Sequence, residues 1–222
     1  MDFIRWWPVL LVISAVLAGL EIRAERAGKR RQVYAFKPLT TLCILLIALL
    51  APPPFRPGYH IPISLGLLFS LAGDVFLMLP RDRFLAGLAS FLAALLCYVV
   101  AFVNVAGFPL SWPVSLILLG YGVYLLRRLW PHLGSYRIPV IVYSLVLLLM
   151  CAGAFHQLWS NASPRAWFAF IGAVMFVISD SLLALDRFES SAKRRQTLVM
   201  ASYYAAQWLI AVSVTGASWW SR

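Results

Sequence analysis

The feature that most constrains this chain is the near absence of charge over long stretches. Apolar runs of 16 to 23 residues follow one another, broken by short segments rich in proline, glycine or arginine. A run of about 17–25 apolar residues crosses a bilayer core as a helix that satisfies its own backbone hydrogen bonds. Only 12% of the residues are charged, about half the roughly 25% of a soluble domain. The expectation is an all-α, polytopic membrane bundle of about eight transmembrane helices. The spans fall near 4–21, 36–51, 61–79, 84–106, 110–128, 137–158, 164–185 and 197–219. Pro52-Pro53-Pro54, Pro57-Gly58, Pro80, Gly107 to Pro109, Pro131 and Pro164 mark many of the boundaries. The first run lacks a small-x-small cleavage site and is followed by a basic loop, so it reads as a membrane helix rather than a signal peptide. No polar segment exceeds 16 residues, so residues 1–222 read as a single transmembrane domain.

Charge placement tests that helix count. With helix ends numbered alternately, one side receives Arg23, Arg26, Lys29, Arg30, Arg31, Lys37, Arg81, Arg83, Arg127, Arg128, Arg137, Arg187, Lys193, Arg194 and Arg195. The other receives only Arg5, Arg56, Arg165 and Arg222, completing the 19 basic residues. By the positive-inside rule the basic side is cytoplasmic and both termini are non-cytoplasmic. The net charge of +11 is then a topology signal with some attraction to anionic lipid heads. Nucleic-acid binding is disfavoured, because the basic residues are divided among short loops with no domain to carry them.

Two acidic stretches echo each other. Gly73-Asp74-Val75-Phe76-Leu77-Met78-Leu79 leads to Asp82-Arg83-Phe84, and Ser179-Asp180-Ser181-Leu182-Leu183-Ala184-Leu185 leads to Asp186-Arg187-Phe188. The match suggests a weak parallel repeat of two four-helix halves, 1–107 and 108–222. Asp74 and Asp180 each lie five residues before an expected helix end, ~8 Å inside the boundary. A carboxylate there costs ~2.5–3.5 kcal/mol at mid-membrane and somewhat less off centre, and Asp is too short to reach water. Such residues mark functional sites by default. The bland alternative is a helix-packing hydrogen bond, for Asp74 to Ser70 or to a tyrosine. Facing one another, the two acids would share a proton, one neutral and one ionised, which is an arrangement suited to hydrolysis. The other acids, Asp2, Glu21, Glu25, Asp82, Asp186 and Glu189, read as solvated charges at ends and loops.

Lys37 opens the second expected helix, with Pro38 in its first turn, and is placed to hold a phosphate or to serve as a positive-inside flank. Tyr98, Tyr203, Tyr204 and Gln207 enter the membrane and can act as interhelical glue. Trp6-Trp7 and Trp219-Trp220 are interfacial anchors. Cys43, Cys97 and Cys151 sit in apolar runs without metal-like spacing. His60, His132 and His156 are isolated, and no metal ligand set is expected. No nucleophile elbow, zinc-protease helix, P-loop or dinucleotide fingerprint occurs.

The ordered set Lys37-Pro38-Leu39-Thr40-Thr41, Ser70-Leu71-x-Gly73-Asp74-x-x-Leu77, Phe84-x-x-Gly87-x-x-x-Phe91, Ser179-Asp180-Ser181 and Tyr204-x-x-x-Gln207 resembles the YhhN family, over almost the whole chain. That family includes the lysoplasmalogenases. The resemblance implies an eight-helix membrane hydrolase that cleaves the vinyl ether of lysoplasmalogens, releasing a fatty aldehyde and a glycerophospho-ethanolamine or -choline. It implies Asp74 and Asp180 as the catalytic pair and a lysophospholipid as the substrate, with no metal or redox cofactor. Lys37, Ser70, Tyr98, Ser181, Tyr204 and Gln207 are the expected substrate-binding residues, with the phosphate near Lys37 and Arg81. Many relatives carry histidine in the fourth helix where this chain has Leu95. The rival reading of paired membrane acids is a small proton-coupled transporter, followed by a non-catalytic lipid-binding protein.

Overall fold

A computed structural model describes residues 6–51, 53, 56–79, 83–109 and 112–215. Asp2, Arg81, Asp82, Trp219 and Trp220 lie outside the described residues. Eight helices account for most of the rest: α1 (Trp6–Arg26), α2 (Arg30–Leu49), α3 (Pro57–Met78), α4 (Phe84–Ala106), α5 (Trp112–Leu129), α6 (Arg137–Ser160), α7 (Pro164–Phe188) and α8 (Lys193–Ser213). Two short 3-10 turns, Trp130–His132 and Gly134–Tyr136, join α5 to α6.

Six of the eight helices are long and apolar enough to cross a membrane by length and composition, which makes this an integral membrane protein. The helices α5 and α8 fall short. Helix α5 ends in Arg127 and Arg128, and α8 opens on Lys193, Arg194 and Arg195 and carries Tyr203, Tyr204 and Gln207 along its length. The polarity of α8 has a physical reason. It packs against α1, α2, α3 and α7, so its polar groups meet protein rather than lipid.

Local chemistry fixes several ends. Ser163 caps α7 by accepting a hydrogen bond from the Ala166 amide at 3.3 Å, and Pro164 occupies the first helical position. Helix α4 stops at Gly107, whose φ of 82° is open only to a residue without a side chain. Several boundaries differ from the sequence expectation, among them the starts of α3 at Pro57 rather than near 61 and of α8 at Lys193 rather than near 197. Helix α1 continues to Arg26 rather than ending near residue 21, and α2 begins at Arg30 rather than near 36. The segments 21–26 and 30–36 are rich in Glu, Arg and Ala, which favour helix in water as well as in lipid. Pro38 is therefore inside α2, not in its first turn. Helix α7 runs to Phe188, three residues past its expected end.

The tightest wall of the bundle is α3 against α4. A Cβ on Gly66 would run into the Tyr98 ring, and one on Gly73 would meet the Phe91 ring at 2.6 Å. Small residues at such crossings let backbones approach, and in lipid this packing replaces the hydrophobic drive. On the arginine-rich end, Phe84 and Phe188 stack edge to face at 5.6 Å, and the Arg187 guanidinium lies 4.8 Å from the Phe84 ring centre. Phe84 and Phe188, matching residues of the two echoing stretches, thus meet at the start of α4 and the end of α7. Arg128 donates to both carboxylate oxygens of Glu189, at 3.0 and 2.9 Å, and ties α5 to that end.

Gly66→Ala should overpack the α3–α4 contact and cost about 1–3 kcal/mol. Gly19→Ala, where nothing lies within 4 Å of the added carbon, should be neutral. Unfolding midpoints of the two variants in one detergent check the contrast.

Candidate active site

The site is built on a buried ion pair. Asp74, on the last turn of α3, is 1% exposed. Its Oδ1 lies 3.6 Å from Lys37 Nζ on α2. Its Oδ2 accepts hydrogen bonds from Thr41 Oγ1 at 2.6 Å and from the Tyr203 hydroxyl at 2.7 Å. Lys37 and Thr41 are one helical turn apart, so α2 presents both to α3 from one face. Tyr203 arrives from α8, its ring held edge-on by Phe91 and Phe176 at 5.8 and 6.0 Å. One carboxylate thereby joins three helices, and every contact it makes is with a donor.

Asp180 is half-buried on α7, eight residues before that helix ends. It accepts a hydrogen bond from the Tyr143 hydroxyl of α6 at 2.5 Å. No cation forms an ion pair with it among the described residues.

Both aspartates line one cavity of about 650 Å³ at the arginine-rich end of the bundle. Its wall is contributed by α1, α2, α3, α4, α7 and α8. Its floor is acidic, with Glu21, Asp74 and Asp180, and Arg30, Arg83 and Arg187 stand on its rim. A second, smaller chamber of about 60 Å³ adjoins it. That chamber is apolar, lined among others by Leu125, Leu126 and Leu129 of α5, Tyr143 and Leu147 of α6, and Leu88 of α4. Leu77, Phe84, Phe91, Asp180 and Leu183 line both spaces, so Asp180 stands at the junction of a charged chamber and a greasy one.

The remaining sequence-derived site residues separate into two groups. Lys37 lines the large cavity, and Ser181 lines the apolar chamber, where its hydroxyl accepts from Tyr121 at 2.7 Å. Ser70, Tyr98, Tyr204 and Gln207 are buried and lie outside both linings. Tyr98 donates to Gln207 Oε1 at 2.8 Å, and Ser70 lies 3.5 Å from the Tyr98 hydroxyl. They form a polar layer behind the wall. The helix-packing bond from Ser70 to Asp74 does not form, because Ser70 faces Tyr98; the bond from a tyrosine does, through Tyr203. Leu95 is fully buried in the apolar core, away from the cavity lining.

Two loop-charge readings are corrected. Glu21 is not solvated but 1% exposed, because α1 carries it on the same buried stripe as Ser14 and Ala18. That spacing of four and three residues is the signal that could have found it. Lys37 is not a surface flank but a buried partner of Asp74. Asp186 caps the start of α8 by accepting from the Ala192 amide at 2.9 Å. Little in the sequence marks Tyr143, Arg83 and Arg187 as cavity residues. The two arginines occupy matching places in the echoing stretches, and that repeat was their only mark.

The model of the YhhN family matches residues 32–214. The chain belongs to the YhhN family. This YhhN chain is 30% identical over 208 residues to the membrane protein YhhN of Escherichia coli O6:H1, covering 94% of this chain and 98% of the relative. It is 34% identical over 220 residues to the human lysoplasmalogenase TMEM86B, covering 96% and 87%. It is 32% identical over 207 residues to a lysoplasmalogenase of Mycobacterium bovis, covering 89% and 76%. No solved structure gives a significant match.

Lys37→Met strands a buried carboxylate and should destabilise the fold by about 3–5 kcal/mol. Adding Asp74→Asn to that variant should recover most of the loss. Detergent unfolding titrations on both variants and the single Asp74→Asn check the coupling.

Proposed function

We propose that this chain is a membrane-embedded lysoplasmalogenase that hydrolyses the vinyl ether of a lysoplasmalogen to a fatty aldehyde and a glycerophospho-alcohol. The observation that carries the reading is the junction at Asp180, where a charged chamber opens onto an apolar one. A lysoplasmalogen has the same division. Its phosphate and headgroup are charged, its single chain is apolar, and the vinyl ether sits where the two halves join. The lysoplasmalogenase names of relatives at 32% and 34% identity over most of the chain support it further.

The chemistry follows from the bond. Hydrolysis of C=C–O begins with proton transfer to the outer alkene carbon, the one on the chain side. The resulting oxocarbenium ion takes up water at the carbon bearing oxygen. The hemiacetal then collapses, breaking that C–O bond to leave aldehyde and alcohol, with one water consumed. The protein must supply one carboxylic acid and one carboxylate, as glycosidases do for a related cation. Asp180 is the acid in this scheme, because it borders the apolar chamber and has a single hydroxyl partner among the described residues. Asp74 is the carboxylate that steadies the cation and draws a proton from water, because Lys37, Thr41 and Tyr203 all favour its charged form. Arg30, Arg83 and Arg187 on the rim, with Lys37 below them, would receive the phosphate.

The topology proposed with this function has eight crossings, both termini on the non-cytoplasmic side, and two parallel four-helix halves within one domain. The charge asymmetry and the meeting of Phe84 with Phe188 support it. The membrane would then be a bacterial cytoplasmic membrane, with the substrate entering from its inner leaflet.

Detergent-purified protein should release aldehyde from a lysoplasmalogen. Asp74→Asn and Asp180→Asn should each lower that turnover by at least 10²-fold, measured on the fraction of each variant that elutes folded. Aldehyde release unchanged in either variant removes that residue from the chemistry. Transport only in sealed vesicles, with no aldehyde in detergent, favours a proton-coupled carrier instead.

A further inference from the structure

Glu21 is a charge that the hydrolysis does not use. It sits on α1, before the residues matched by the family model, and lines the large cavity alongside Glu25 and Tyr34. It is 1% exposed, and its Oε2 has no hydrogen-bond partner among the described residues. A buried acceptor left unsatisfied costs a good part of its desolvation energy, so a native fold keeps one only where something else completes it. The carboxylate lies within electrostatic reach of Lys37, Glu25 and Asp74. Lys37 pairs with Asp74 at 3.6 Å and forms no ion pair with Glu21 among the described residues. The enclosed, unmet acceptor at Glu21 suits a cation that can also donate an N–H bond.

The rest of the cavity says where that cation comes from. Arg30, Arg83 and Arg187 stand on the rim, and Glu21 and Glu25 contribute the α1 side of the same wall. Groups of both signs thus line one space, carboxylates on α1 and arginines on α2, on α7 and just ahead of α4. A zwitterionic phospho-ammonium head has the complementary division, its phosphate and ammonium separated by a two-carbon bridge. We propose that Glu21 binds the primary ammonium of the lysolipid head, and that this makes the chain prefer ethanolamine over choline. The assignment rests on the lysoplasmalogenase reading of the same cavity and goes beyond it. The preference follows from the donor count. A primary ammonium carries three N–H donors, one of which completes Oε2, whereas a trimethylammonium carries none and leaves the acceptor unsatisfied. An aromatic cage would favour choline, but the aromatic residues of the lining, Tyr34, Phe84, Phe91 and Tyr203, come singly from α2 and α8 and as a pair from α4, and none is on α1 with Glu21 and Glu25.

The test uses non-hydrolysable 1-O-alkyl lysolipids and the full chain in detergent. Dissociation constants are measured for the ethanolamine, choline and bare glycerophosphate forms. Wild type should bind the ethanolamine form about tenfold more tightly than either of the others, the fold-change of one charge-assisted hydrogen bond. Glu21→Gln should shrink that preference to twofold or less and leave the glycerophosphate form bound as well as before. Glu21→Asp, which keeps the charge on a shorter arm, should retain part of the preference and guards against a folding defect in the first variant. Equal weakening of all three ligands, a preference that survives in Glu21→Gln, or no preference in wild type overturns the proposal. Aldehyde release from the vinyl-ether forms is read separately. Preferential binding without aldehyde sinks the hydrolase reading and leaves the headgroup site standing. Equal binding and equal turnover of all three heads does the reverse.

Discussion

The buried pair of Asp74 and Lys37 is the interaction on which the rest of the arrangement depends. It lies where a lone charge is intolerable, and each partner makes the other affordable. Thr41 and Tyr203 supply the remaining donors, so α2, α3 and α8 are pinned at one level by a single carboxylate. A pair of this kind adds little net stability compared with well-packed apolar residues. Its value is positional. The cavity lies among α3, α7 and α8, and both partners of the pair are on its wall. Asp180 then reaches the same space from the far wall with a phenol as its one described partner.

Two unlike chambers meeting at one acid give the cavity an amphiphilic outline. Charged groups gather where the helix ends approach water, and leucines of α5 and α7 close the other side. A lipid with one chain fits such an outline with its head in one space and its tail in the other. The same outline gives the two aspartates different company, one ringed by donors and the other bordered by hydrocarbon. Division of labour between chemically identical side chains follows from surroundings of that sort.

Much of this was legible in the sequence because the bilayer imposes so few solutions. Apolar run length gave the helices, and Asp74 and Asp180 stood out because a carboxylate in such a run demands a reason. What could not be read was set by where helices face. Glu21 looked like a loop residue because hydropathy ends a helix at the membrane surface, whereas α1 continues into the basic segment on its own propensity. Lys37 and Pro38 looked like a helix start for the same reason, two turns too late. Tyr143 gave no sign, since a phenol in a long apolar helix has a partner only once α6 and α7 are set side by side. Ser70, Tyr98 and Gln207 are polar residues within apolar runs, which the sequence alone displays. Yet only their packing tells a bonded layer behind a wall from the wall itself.

The glycine contacts between α3 and α4 carry a consequence for how such a chain can change over time. Gly73 stands immediately before Asp74 and directly beneath the Phe91 ring. No spacer separates the two backbones there, so the height of the acid is dictated by main chain rather than by an adjustable side group. Volume gained on one helix can be absorbed only by volume surrendered on the other. The two positions are therefore free to drift as a matched set, bulk traded for bulk, while drift at either one alone would tilt the carboxylate out of its socket.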